Sequence, residues 1–85
     1  MSVAQCFVGL DVGGSAMKAG VVDDHGKPLS AVSLPTEADR GPEAGLERMA
    51  ETIREAVRAA NRTLDEIAAI GVATPGLMDI PAGII

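Results

Sequence analysis

The stretch Cys6-Phe-Val-Gly-Leu-Asp-Val-Gly-Gly-Ser-Ala-Met-Lys-Ala-Gly-Val-Val22 contains two apolar runs separated by a pair of glycines. The first run, Cys6 to Val12, is continuous rather than alternating, which is typical of a strand buried on both faces. The Gly13-Gly14 pair then turns the chain into a second run, from Met17 to Val22. The pattern predicts two strands joined by a tight turn.

A third strand, a helix and a fourth strand follow this hairpin. The turn cluster Asp23-Asp24-His25-Gly26 leads into an apolar run from Pro28 to Leu34, which completes an antiparallel meander. A loop from Pro35 to Gly41 precedes a segment from Pro42 to Asn61 whose apolar residues recur at helical spacing. The run from Ile67 to Ala73 predicts a fourth strand, parallel to the first because a helical crossover joins them. The order strand-strand-strand-helix-strand is the opening of an α/β, ribonuclease-H-like half-domain.

Composition narrows the class of protein. Eighty-five residues, 47% of them hydrophobic, form one small domain at most. A formal net charge of −5 argues against nucleic acid as a partner. A single cysteine, Cys6, cannot form an internal disulfide, which fits a reducing compartment. The chain shows no signal-peptide pattern and no apolar run near the ~20 residues that cross a membrane, so we expect a cytoplasmic protein without a membrane partner.

The turn between the first two strands carries residues suited to binding phosphate. Asp11 falls at the end of a strand predicted to be buried, where a carboxylate needs a partner such as Mg²⁺. Gly13 and Gly14 let backbone amides approach an anion closely, Ser15 adds a hydroxyl, and Lys18 adds a cation. The alternative is a two-residue hairpin turn with no ligand. The glycine spacing matches neither a Walker loop nor the dinucleotide-binding fingerprint.

Two blocks of the sequence resemble those of a known family. Gly9-Leu-Asp-Val-Gly-Gly-Ser-Ala-Met-Lys-Ala-Gly-Val-Val-Asp23, followed by Gly26, resembles the first phosphate motif of the ROK sugar kinases. Ala69-Ile-Gly-Val-Ala-Thr-Pro-Gly-Leu-Met-Asp79, followed by Gly83, is similar to that family's next block. The resemblance spans about Phe7 to Ile85. It implies an actin-like ATPase fold, ATP and Mg²⁺ as cofactors, and glucokinase-like phosphorylation of a hexose.

The resemblance also implies roles for individual residues. Asp11 matches the family's carboxylate near the magnesium–phosphate group, and Gly13 to Ser15 match its phosphate-contacting turn, with serine where threonine is usual. Ala73 stands where glycine is common. Thr74-Pro75-Gly76 matches the loop beside the sugar pocket, so that Gly76 is a candidate backbone contact to the sugar. An ordinary strand-ending turn is the alternative at that point.

Several parts of the family pattern are not in this sequence. The family's sugar-deprotonating aspartate, its zinc segment, its adenosine-binding stretch and its main dimer surface come further downstream. The apolar ending Gly83-Ile84-Ile85 also predicts a cut inside a longer domain. We therefore expect residues 1–85 to be the N-terminal part of the first lobe of a ROK-type kinase domain, inactive alone, in a protein that forms a homo-oligomer.

A ROK-type transcriptional regulator and a non-catalytic remnant that binds a partner are the alternatives. The regulator is disfavoured because only about six residues precede the first strand and no basic helix occurs.

Overall fold

The computed structural model describes residues 5–73, and these contain four strands, one α-helix and two short 3-10 helices. The strands are β1 (Cys6–Val12), β2 (Ala16–Asp23), β3 (Pro28–Pro35) and β4 (Ile67–Ala73), the helix is α1 (Pro42–Ala59), and the 3-10 helices are Ala38–Arg40 and Leu64–Glu66. Every predicted element is present. No helix within the described residues is long and apolar enough to cross a membrane.

The C-terminal end of α1 differs from the prediction by two residues. Asn61 has φ 62, in the left-handed region, and its N–H donates to the carbonyl oxygen of Arg58. The N–H of Arg62 donates back to the carbonyl oxygen of Val57. This pair of hydrogen bonds is the Schellman arrangement, in which a left-handed residue stops the helix. The helix therefore ends at Ala59 rather than at Asn61.

The four strands form one mixed sheet in the order β3-β2-β1-β4. The meander is antiparallel throughout, and β4 pairs with β1 in parallel, as the crossover predicts. Strand β1 is thus central, with β2 on one side and β4 on the other. This topology confirms the predicted ribonuclease-H-like half-domain.

The hydrophobic core lies between α1 and one face of the sheet. Its buried members alternate along β1 and β2 and meet two residues of the helix: Cys6, Val8, Leu10, Met17, Ala19, Val21, Ala56 and Val57. Burying a Val, Leu or Met side chain contributes about 1.5–3 kcal/mol relative to leaving it exposed. The hydroxyl of Ser30 donates to the carbonyl oxygen of Ala56 at 2.7 Å, which ties β3 to the helix.

The opposite face of the sheet is open within the described residues. Phe7 is partly exposed there, and Gly9 and Asp11 are exposed. Asp11 was expected at a buried strand end, and this is wrong because its side chain is exposed. Burial of β1 on a second face is not seen within residues 5–73, where α1 covers one face. The residues of β1 on the other face are Phe7, Gly9 and Asp11. This open face carries Asp11 and its cross-strand partner Lys18.

Candidate functional site

The turn between β1 and β2 consists of Gly13, Gly14 and Ser15. The N–H of Gly13 donates to the carbonyl oxygen of Ala16 at 2.9 Å and closes the turn. Neither glycine has a φ in the left-handed region. Two-residue hairpin turns of types I′ and II′ require such a φ. The Gly13-Gly14 pair therefore does not form a two-residue turn of type I′ or II′.

Gly13 and Gly14 differ in whether a side chain would fit at their positions. A Cβ at Gly13 would lie 2.8 Å from the carbonyl oxygen of Ala16, so the turn itself excludes a side chain there. A Cβ at Gly14 would meet no atom of the described residues within 4 Å. Gly14 is also exposed. Neither its φ nor its packing requires a glycine at this position, and without a side chain the backbone of Gly14 is open to close approach.

The three backbone N–H groups of the turn differ in whether they have a hydrogen-bond acceptor. The N–H groups of Gly14 and Ser15 have no acceptor among residues 5–73, and both residues are exposed. The N–H of Gly13 was expected to point at an anion as well. It is instead used inside the turn, because Ala16 accepts from it. Two neighbouring free N–H groups at a turn are the kind of donor pair that binds an anion.

A threonine from outside the hairpin holds the turn in place. The Oγ1 of Thr36 donates to the carbonyl oxygen of Gly13 at 2.8 Å, and its N–H donates to the carbonyl oxygen of Ser15 at 3.0 Å. Thr36 is 8% exposed. Sequence reasoning placed it in an ordinary loop and missed it. The contact follows from the β2–β3 register, which pairs Ala16 with Pro35 and so brings the next residue beside the turn.

Asp11 and Lys18 lie just behind the turn on the open face. They are direct partners across β1 and β2, and both are exposed. In the described part of the chain they form no ion pair with each other. A carboxylate and an ammonium group are therefore both available at the same edge as the two free N–H groups.

The neighbour of Asp11 on its other side is Ala73, the last residue of β4. Because β1 and β4 are parallel, their carboxyl ends meet at one edge, which is where open α/β sheets bind ligands. The predicted site residues Asp11, Gly13, Gly14, Ser15 and Lys18 are brought together at this edge. Gly76 lies outside the described residues, so its contact to a sugar stays a prediction.

The carboxylate of Asp11 is the feature of this edge that bears on Mg²⁺ binding. No group of three or more His, Cys, Asp or Glu side chains occurs among residues 5–73, so the described residues hold no all-protein metal cage. Mg²⁺ does not need one, since it is usually held by one or two carboxylates together with phosphates and waters. Asp11, exposed and free of an ion pair with Lys18, fits that requirement.

A groove of about 570 Å³ lies on the other side of the turn, toward α1. Its lining residues come from the strand ends and the first turns of the helix: Val12, Met17, Thr36, Gly41, Pro42, Gly45, Leu46 and Met49. Apart from the threonine hydroxyl, which already donates to Gly13, these residues present apolar groups. The lining of the groove does not suit an anion.

Known proteins resemble this chain in both sequence and structure. The ROK family profile matches residues 7–85. The glucokinase of Thermotoga maritima is 33% identical over 79 residues, which cover 93% of this chain and 23% of that protein. The ROK hexokinase from Thermus thermophilus superposes with a TM-score of 0.75 at 40% identity, covering 95% of this chain and 26% of the hexokinase.

A second solved structure is that of the ROK family glucokinase from Streptomyces griseus in complex with glucose and AMPPNP. It superposes with a TM-score of 0.67 at 25% identity, covering 81% of this chain and 20% of the glucokinase. The chain thus spans about a quarter or less of the length of each of these three proteins.

Proposed function

This chain belongs to the ROK family, and from that premise we propose that it supplies the ATP phosphate-binding turn of a kinase that phosphorylates a hexose. Relatives that it matches include glucokinases and a hexokinase. Residues 1–85 are, in this proposal, the N-terminal part of the first lobe of a larger kinase domain. The transfer reaction is an activity of that complete domain.

One observation carries the proposal, namely the two free N–H groups of Gly14 and Ser15 at an exposed turn. Phosphoryl transfer depends mainly on holding the phosphates in position and neutralising their charge. Backbone N–H groups that are already fixed in direction do this without reorganising when the ligand arrives. The absence of a side chain at Gly14 lets a phosphate oxygen reach them.

Neighbouring side chains complete the phosphate site. The hydroxyl of Ser15 is a further donor, and the ammonium group of Lys18 places a positive charge at the same edge. Asp11 is the residue that would hold Mg²⁺ at this site. Mg²⁺, when bound with ATP, supplies charge neutralisation on the phosphates. Gly76 remains the proposed backbone contact to the hexose.

The step that activates the sugar is assigned to the rest of the complete protein. General-base removal of a hydroxyl proton contributes about 10²–10⁴-fold to such reactions. In the family that the two sequence blocks resemble, the aspartate that acts as this base lies downstream of them. This chain then binds and orients the phosphate side of the reaction.

A chimeric kinase tests the proposal. Residues 1–85 would replace the matching segment of the Thermus thermophilus hexokinase, and activity would be followed on a hexose that the parent enzyme phosphorylates. We expect ATP-dependent phosphorylation by the chimera and binding of AMPPNP by calorimetry. A folded chimera that binds the hexose but neither binds AMPPNP nor phosphorylates the sugar would sink the proposal.

A further inference from the structure

Thr36 contacts both ends of the three-residue turn, through its side chain at Gly13 and its backbone at Ser15. We infer that Thr36 is the positioning residue of the phosphate turn, holding it so that the N–H of Gly14 faces the open side of the sheet. The inference rests on the proposed function for the identity of the anion. The two hydrogen bonds of Thr36 are themselves a feature of the described fold.

Peptide geometry explains how a contact to carbonyl groups directs N–H groups. In a trans peptide the C=O of one residue and the N–H of the next point in opposite directions. The hydroxyl of Thr36 fixes the carbonyl of Gly13, and so turns the N–H of Gly14 away from Thr36. Since Thr36 lines the groove on the α1 side, this N–H points toward the open face.

The second hydrogen bond restrains the other end of the turn. The N–H of Thr36 fixes the carbonyl of Ser15, and so the peptide group between Ser15 and Ala16. The peptide group between Gly14 and Ser15 is then held at both ends. An anion that binds these N–H groups meets donors that are already oriented, so that less freedom is lost on binding.

Thr36 is itself anchored to α1 by the residue that follows it. The carboxylate of Glu37 forms ion pairs with Arg48 of α1 and with Arg40 of the 3-10 helix between Glu37 and α1. Glu37 adopts φ 54, in the left-handed region, and the N–H of Arg40 donates to its carbonyl oxygen at 3.0 Å. A continuous set of contacts thus runs from α1 through Glu37 and Thr36 to the turn.

A purely structural role for Thr36 is the competing explanation, and a matched control separates the two. Thr52 is also buried, and its hydroxyl donates to the carbonyl oxygen of Arg48 at 2.6 Å within α1. Thr36→Val and Thr52→Val each remove one hydroxyl with little change of shape. Thr36→Ser keeps the hydroxyl and serves as the rescue variant.

The first measurement is residue-resolved hydrogen exchange of the Gly13 N–H, which is bonded to Ala16, on the chain itself. We expect Thr36→Val to speed this exchange about fivefold or more, from loss of one hydrogen bond. Thr36→Ser should stay within about twofold of the parent. Exchange as slow in Thr36→Val as in Thr52→Val would overturn the inference, whatever the chimera does.

The second measurement is made in the chimeric kinase. Thr36→Val should raise KM for Mg-ATP about tenfold while KM for the hexose stays within about twofold. Thr52→Val should shift neither constant beyond that range. An equal shift of both constants, or failure of Thr36→Ser to restore the ATP constant, would also overturn the inference. A chimera without ATP-dependent activity counts against the proposed function, and the exchange measurement then decides the role of Thr36.

Discussion

Gly9 and Gly20 are direct partners across β1 and β2, yet their surroundings differ sharply. A Cβ at Gly20 would lie 2.9 Å from the carbonyl oxygen of Ser30 on β3, whereas a Cβ at Gly9 would meet no atom of the described residues within 4 Å. Gly20→Ala must therefore push two strands apart. We expect it to lower the free energy of unfolding by about 1–3 kcal/mol, and Gly9→Ala to change it by less than about 0.5 kcal/mol.

Urea unfolding of the two variants at low protein concentration checks this difference. Equal losses of unfolding free energy at the two positions would mean that the carbonyl oxygen of Ser30 does not exclude a side chain at residue 20.

Removing the charge of Asp11 should impair turnover without unfolding the protein. In the chimeric kinase, Asp11→Asn is expected to lower kcat about 10²-fold or more, because the metal–phosphate group loses its carboxylate. The fold should be unaffected, since the side chain is exposed. Asp65→Asn is the control. Asp65 is an exposed carboxylate just before the first residue of β4, whereas Asp11 pairs with the last residue of β4. Turnover by Asp11→Asn near the parental rate would exclude the magnesium role.

Side chains of increasing size at Gly14 should weaken nucleotide binding in steps. The described fold has room for a Cβ at this position, so Gly14→Ala and Gly14→Val should both fold. In the chimera we expect Gly14→Val to weaken AMPPNP binding about tenfold or more, with a smaller loss for Gly14→Ala, because each blocks access to the N–H pair. Calorimetry with AMPPNP and with the hexose measures both. Equal losses for the two ligands would indicate misfolding rather than a blocked phosphate site.

The turn between β2 and β3 should be sensitive to acid through Asp23. The N–H of Lys27 donates to the Oδ1 of Asp23 at 2.9 Å, and so does the N–H of His25. These hydrogen bonds, that of Lys27 first, hold the pKa of Asp23 below its ordinary value of 3.8. A carboxylate with a lowered pKa stabilises the fold above its unfolded pKa, and this contribution is lost as the pH falls through the folded value.

An NMR titration of the Asp23 carboxyl group should therefore have its midpoint below 3.8. Asp23→Asn should remove this part of the acid dependence of stability. Asp24→Asn, at a neighbouring carboxylate that accepts no backbone hydrogen bond in the described part, is the control. A midpoint for Asp23 at or above its ordinary value would contradict the prediction.

The 85 residues alone should show no sugar kinase activity and should associate in solution. Strand β4 lies at the edge of the described sheet, and Ile70 on it is 43% exposed. An exposed apolar edge strand invites pairing with another chain. Sedimentation should show oligomers, and Ile70→Lys should shift the population toward monomer. A monomeric parent chain that phosphorylates glucose with Mg-ATP would contradict both parts.

Most of the fold could be predicted from the sequence because its elements are separated by strong local signals. Strands β1 and β4 have the predicted bounds, since each is an apolar run between turn residues. The end of α1 was missed because Asn61 stops the helix through a left-handed φ that its residue type permits but does not require.

The site was harder to predict, because its details depend on contacts between distant segments. The exposure of Asp11 was missed because Phe7 and Gly9, which lie on the open face, made β1 look like a continuous apolar run. Such a run predicts a strand buried on both faces. The use of the Gly13 N–H inside the turn depends on the turn's length, which the glycine pair alone did not indicate. Thr36 reaches the turn only through the β2–β3 register, and a single sequence contains no local signal for that contact.

The central position of β1 has a consequence for the order of folding. Its β2 partners follow across a three-residue turn, but its β4 partners, such as Ile70 opposite Val8, lie about sixty residues further along the chain. The entropy cost of closing a loop rises with its length, and contacts of high sequence separation slow folding. We expect the meander to form first and the parallel pairing to form last. The turn between β1 and β2 lies within the meander and Thr36 directly follows it, so the turn and the hydrogen bonds from Thr36 can form before β4 joins the sheet.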